Sequence, residues 1–134
     1  LVLKNAYVMV NEVDLSAYVK SVTVNYSAEI IEDTAMGATS KSRIAGLKDW
    51  SIEVEFMQDY AENKVDATLY PLIGAASFAI HVKPENTAIS VTNPDFTGNA
   101  VLGEYTPVSG SVGELSTFSV TFEGDGDLTR DVTP

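Results

Sequence analysis

Four segments of this chain place large apolar residues at every second position, with mostly polar or charged residues between: Val22-Thr23-Val24-Asn25-Tyr26, Ile52/Val54/Phe56, Phe78/Ile80/Val82 and Phe118/Val120/Phe122. Successive side chains of an extended strand point to opposite faces, so this spacing predicts strands with one apolar and one polar face. Weaker strand candidates are Ala6–Val10, Val13–Tyr18, Ile89–Thr92 and Asn99–Thr106. Turn-forming clusters punctuate them at Asn93-Pro94-Asp95, Ser109-Gly110 and Gly124-Asp125-Gly126. The expected fold is mainly β, an antiparallel sandwich or partly open barrel of six to eight strands with one short helix. A chain of 134 residues has room for one core, so residues 1–134 are expected to form a single domain.

The helix is expected where Val65, Leu69, Leu72 and Ile73 fall at i, i+4, i+7 and i+8. Asn63 or Asp66 could cap its start, Gly74 suits its end, and Pro71 should end or kink it. Such a helix would cover an open end or face of the sheet. The longest stretch without a period is Glu32–Lys48, which reads as a loop, and a loop of that length usually carries function or flexibility. It also gathers positive charge in Lys41, Arg43 and Lys48, between the acids Glu29, Glu32, Asp33 and Asp49, Glu53, Glu55. On an acidic protein, such a segment can dock against another copy of the same molecule or simply stay solvated.

Composition narrows the function classes. Nineteen acids against eight bases give a net charge of −11, and residues 84–134 hold eight of the acids with Arg130 as their only base. A surface this negative repels phosphates, which disfavours gripping DNA or RNA. There is no cysteine, hence no disulfide, thiolate metal site or thiol nucleophile. No apolar run approaches the roughly 18 residues that a membrane span needs. The chain opens on Leu1 and not on Met, so processing or trimming ahead of it is expected.

Catalytic patterns are missing. The lone His81 sits on the polar side of a predicted strand with no second ligand or nucleophile beside it, and reads as a surface histidine. The glycines form no phosphate-cradling loop. Gly124-Asp125-Gly126-Asp127 with Asp131 lacks the calcium-loop spacing and reads as a polar turn. Glu53 and Glu55 on one strand face repel each other, which suits a wet surface better than an acid–base pair. No enzyme activity and no cofactor are expected.

Two stretches resemble the tail-tube (major tail) proteins of long-tailed bacteriophages. The first runs from the strand Val19–Tyr26 through Thr34-Ala35-Met36-Gly37 and a polar loop to Gly46-Leu47-Lys48-Asp49-Trp50, which leads into Ser51–Phe56. The second is Gly110–Leu115, the strand Ser116–Glu123 and the polar ending Gly124–Thr129. The resemblance implies a tail-tube-like β domain over 1–134 that forms six-fold rings stacked into a hollow tube. Through this tube DNA passes without tight binding, and a tape-measure protein fills it beforehand. It further implies tail-end or terminator partners and a virion location after synthesis in the host cytoplasm. Some relatives append an immunoglobulin-like domain, and none is expected where this sequence ends at Pro134.

By the same resemblance, Thr34, Met36, Gly37, Lys41, Arg43, Ile44, Gly46, Leu47 and Lys48 would contact the adjacent subunit or ring. Glu53 and Glu55, or Thr23 and Asn25, are candidates for the lumen wall. Six copies at −11 each make −66 per ring, and a negative passage would let DNA slide. Other readings are a capsid decoration or head–tail joining subunit, the ring protein of type VI secretion, and a carbohydrate- or calcium-binding β-sandwich module. The last predicts exposed aromatics on one face, whereas Tyr7, Tyr18, Tyr60, Tyr70 and Tyr105 are scattered in sequence.

Overall fold

The computed structural model describes residues 2–133. Its strands are β1 (Tyr7–Val10), β2 (Val13–Asp14), β3 (Val19–Glu32), β4 (Arg43–Met57), β5 (Phe78–Lys83), β6 (Asp95–Leu102), β7 (Thr117–Gly124) and β8 (Thr129–Asp131), with one helix, α1 (Val65–Leu69), between β4 and β5. They make a single eight-stranded sheet in the order β2-β1-β5-β6-β7-β4-β3, and every named strand pair is antiparallel. The sheet does not close into a barrel: β2 and β3 remain its edges. β7 and β8 follow one another along β6, pairing with Ala100–Leu102 and Asp95–Thr97 respectively.

The alternation read in the sequence sets the core. Trp50, Ile52, Val54 and Phe56 of β4 are buried with Phe118, Val120 and Phe122 of β7, Phe78, Ile80 and Val82 of β5, and Val8 and Val10 of β1. Phe56 and Phe118 stack tilted at 5.8 Å, and Phe78 meets Phe122 edge-on at 5.9 Å. Burying each such side chain stabilises the fold by roughly 1.5–3 kcal/mol. α1 adds Val65 and Leu69 to this core, and the 3₁₀ turn Tyr70–Leu72 that extends it adds Leu72. Pro71 sits in the first turn of that 3₁₀ segment, where its missing N–H breaks no ladder.

Several expectations are corrected. The helix is capped by Lys64 in extended conformation with no side-chain hydrogen bond, so neither Asn63 nor Asp66 caps it. Only Val13–Asp14 of the 13–18 segment is strand, because Ser16–Tyr18 turns into a 3₁₀ helix, with the Ser16 N–H held by Asp14 Oδ1 at 2.9 Å. Ser90 and Asn93 share one bridge, and no strand forms at Ile89–Thr92; the Asn93 amide instead ties the loop together by donating to the carbonyls of Glu85, Thr87 and Ala88. The strand expected over Asn99–Thr106 lies at Asp95–Leu102. The largest correction is Glu32–Lys48: only residues 33–42 form a loop, and Arg43–Lys48 are strand.

Candidate assembly interface

β3 and β4 form a hairpin whose two halves live in different surroundings. In the body, Val22, Val24, Ile52 and Val54 face the core and their neighbours face out. Across three strands the outward residues line up in rows: Ser21–Glu55–Ser119, Thr23–Glu53–Thr121 and Asn25–Ser51–Glu123. Thr23, Asn25, Glu53 and Glu55, singled out as alternative lumen candidates, therefore share one wet face. Glu55 lies 3.8 Å from Lys20, a partly exposed pair that contributes little.

Beyond Asn25 and Ser51 the hairpin leaves the sheet as a two-stranded arm. Tyr26 through Glu32 pair with Arg43 through Trp50, and β3 has β4 as its one strand neighbour among the described residues. The Thr34-x-Met36-Gly37 segment makes the tip. The hydroxyl of Thr34 accepts from the Ser42 N–H at 2.8 Å, the Asp33 N–H donates to the Ser42 carbonyl at 2.9 Å, and Ala35–Ala38 turn with Gly37 at φ +88°. Between the pairs Ala28–Lys48 and Ile30–Ala45, Glu29 opposes both Gly46 and Leu47, a β-bulge that re-aims the strand. At that bulge Leu47 is 83% exposed, and Tyr26, Ile30, Ile31, Met36 and Ile44 are exposed as well. The nine proposed contact residues thus lie along one arm: Thr34, Met36, Gly37 and Lys41 in its tip loop, Arg43, Ile44, Gly46, Leu47 and Lys48 on its β4 strand.

Trp50 fixes the arm to the body. Its indole is 3% exposed and its Nε1–H donates to the Gly126 carbonyl at 2.9 Å. A Cβ at Gly124 would stand 2.5 Å from indole Cε2, and one at Gly98 2.6 Å from Cζ2, so both positions must be glycine for the ring to lie there. The Gly-Asp-Gly-Asp turn is thereby the socket of this tryptophan, a role its sequence did not announce.

At the other end of β4 the chain builds an open groove of about 600 Å³ lined by Tyr70, Pro71, Ile73, Gly103, Glu104, Tyr105 and Pro107. Gln58, the residue after β4, donates from Nε2 to the Tyr105 hydroxyl at 2.9 Å and to the Pro107 carbonyl at 2.8 Å. Tyr60 donates to the same carbonyl, and Tyr105 donates to Asp66 Oδ1 at 2.7 Å while its ring packs edge-on against Phe118 at 5.3 Å. Burial, reinforced by the hydrogen bond to the Asp66 carboxylate, pushes the Tyr105 hydroxyl up to about 12. Three of the tyrosines that are scattered in sequence, Tyr60, Tyr70 and Tyr105, meet at this end.

His81, expected at the surface, is more enclosed than that. It is half-buried, and its Nδ1 lies 2.9 Å from Oδ2 of the buried Asp95, whose Oδ1 has no hydrogen-bond partner. Burial and the nearby carboxylates of Asp14 and Asp95 raise the Tyr7 hydroxyl above its ordinary value. Among the described residues, no three His, Asp or Glu side chains converge as a metal site would require.

No protein-family model and no curated protein matches this chain. Solved structures do. A chain of the virion of a native gene transfer agent particle superposes with a TM-score of 0.75 at 12% identity, over 97% of this chain and 98% of that one. The two chains share a fold over nearly their whole lengths. A chain from the tail of an empty gene transfer agent particle, refined with C6 symmetry, matches with a TM-score of 0.64 at 13% identity, covering 84% of this chain and 81% of that one. The Dit (gp 19.1) protein of SPP1, a hub of the adsorption apparatus in phages that infect Gram-positive hosts, gives 0.51 at 17% identity. That match covers 92% of this chain and half of the SPP1 protein.

Proposed function

We propose that this chain is a non-enzymatic structural subunit of a phage-type virion tail, assembling as six-fold rings that stack into the tube. The observation that carries the reading is the arm. A two-stranded hairpin is marginal in water on its own, and this one leaves apolar side chains exposed at Tyr26, Ile30, Ile31, Ile44 and Leu47. A neighbouring copy that covers them supplies the missing layer and shields the long edge of β3. The resemblance of the sequence to tail-tube proteins and the likeness of the fold to chains of virion and tail particles support the same conclusion.

In this reading the face bearing Thr23, Asn25, Glu53 and Glu55, extended by Ser119, Thr121 and Glu123, lines the passage. Four of its residues are hydroxyl or amide side chains and three are carboxylates, and Lys20 beside them is paired with Glu55, so the face offers phosphates little to hold. DNA slides through it, after a tape-measure protein has left, and terminator proteins close the ends. Light scattering on the separated protein followed by negative-stain imaging tests the proposal. Stacked rings or tubes are expected; discrete monomers or trimers would favour a capsid decoration or joining role. The double substitution Lys41→Glu/Arg43→Glu is expected to block polymerisation while the monomer stays folded, and tubes of normal length would remove the arm from the assembly.

A further inference from the structure

We infer that the groove between Tyr70, Ile73, Tyr105 and Pro107 is the seat for the arm of another copy of this chain. The inference rests on the assembly reading above and adds to it the acceptor surface. Both features sit on one strand. The arm continues from the Arg43 end of β4, and the groove is held by Gln58, immediately after Met57 at the other end. The fourteen steps between its fifteen residues, at about 3.3 Å each, separate the two ends by roughly 45 Å, and a paired strand does not fold back on itself. An arm therefore cannot fill its own groove, and an arm-to-groove contact joins two molecules head to tail. Such a heterologous contact repeats from copy to copy, closing into rings or running on as a filament.

The two surfaces are complementary. The groove presents apolar surface, with Tyr70 69% and Ile73 40% exposed, and the Tyr105 side chain in its wall is held by Gln58 and Asp66 before anything binds. The arm offers Leu47, Ile30 and Ile44. Charge matches as well. Residues 26–50 carry four acids and three bases, whereas the remainder of the chain carries fifteen acids and five bases. Glu104 lines the groove, and Asp59, Glu62 and Asp66 stand in the turn and first helical residues beside it. The one base there, Lys64, is drawn off over the Tyr18 ring at 5.8 Å. Lys41, Arg43 and Lys48 of an incoming arm would meet a rim of carboxylates. Opposite charges across an interface fix register and speed encounter.

The absence of cysteine makes a clean test possible. Copies carrying Leu47→Cys are mixed with copies carrying Ile73→Cys under assembling conditions and treated with a short bis-maleimide; the expected product is a covalent dimer that needs both cysteines. Ala17→Cys, exposed on the 3₁₀ turn before β3, replaces Ile73→Cys as the control and should link about tenfold less. In parallel, Ile73→Glu should lower polymer yield about tenfold, the factor that 1.4 kcal/mol produces in an equilibrium. Its Trp50 emission should be unchanged, because the side chain it replaces is already partly in water. Equal linking to Ala17→Cys, or normal tubes from Ile73→Glu, overturns the acceptor assignment and leaves the assembly reading standing. Normal tubes from Ile73→Glu together with a soluble oligosaccharide that perturbs tyrosine emission would give the groove to a sugar instead. A wild-type protein that stays monomeric at high concentration overturns both readings.

Discussion

The body half and the arm half of the β3–β4 hairpin share strands and hydrogen bonding, yet they obey different sequence rules. In the body, residues 19–25 and 51–57 alternate because one face joins Phe118, Val120 and Phe122 of the neighbouring strand in the core and the other meets water. In the arm, Ser27-Ala28-Glu29-Ile30-Ile31-Glu32 and Arg43-Ile44-Ala45-Gly46-Leu47-Lys48 carry apolar and charged residues on both faces. A period of two records a core on one side. Where the core ends, strand geometry continues without it, and the residues answer to surfaces outside the molecule.

Substitutions at the junction should break the comparison most strongly. Trp50→Ala empties the socket and leaves the Gly126 carbonyl unpaired, so unfolding by denaturant should show a loss of about 4 kcal/mol. Gly124→Ala places a methyl group inside the indole and should cost about 2 kcal/mol by overpacking. Because Trp50 is the only tryptophan, its emission should shift in the Gly124 variant while the arm's sequence is untouched.

At the groove, the effect should depend on pH. Tyr105 keeps its proton in the fold up to about 12, whereas in the unfolded chain it titrates near the ordinary 10. Its contribution is therefore fully present below pH 10 and is lost as pH rises towards 12. Tyr105→Phe should flatten that part of the stability profile and, at neutral pH, cost about 1 kcal/mol for the hydrogen bond to Asp66. In the arm, Lys41→Glu/Arg43→Glu should change monomer stability by less than about 0.5 kcal/mol, since both side chains are exposed. Hydrogen exchange sharpens the contrast further: arm amides should exchange well before body amides in the free monomer and become protected in the polymer.

Much of the fold was legible because it follows from alternation. The four strong strands, the helix around Val65–Leu69 and the polar face bearing Glu53 and Glu55 were each carried by local spacing. Glu32–Lys48, the tip and most of the β4 side of the arm, reads as a loop because its residues lack a buried face to keep them in step. Its residues were nevertheless legible as a candidate contact from their charge and from the Gly46–Trp50 motif. The Trp50 socket was not legible: Gly98 and Gly124 lie far along the chain, and a glycine does not announce which ring will occupy its missing side chain. The tyrosine groove was missed for the same reason, since Tyr60, Tyr70 and Tyr105 meet only after β4 and the 103–107 segment are laid side by side.

With its indole wedged against β6 and hydrogen-bonded to the turn between β7 and β8, the root of the arm works as a fulcrum. A force on the tip is delivered to three segments of the body together instead of peeling one strand from its neighbour, so the projecting hairpin should pivot as a stiff lever and not trail as a tether.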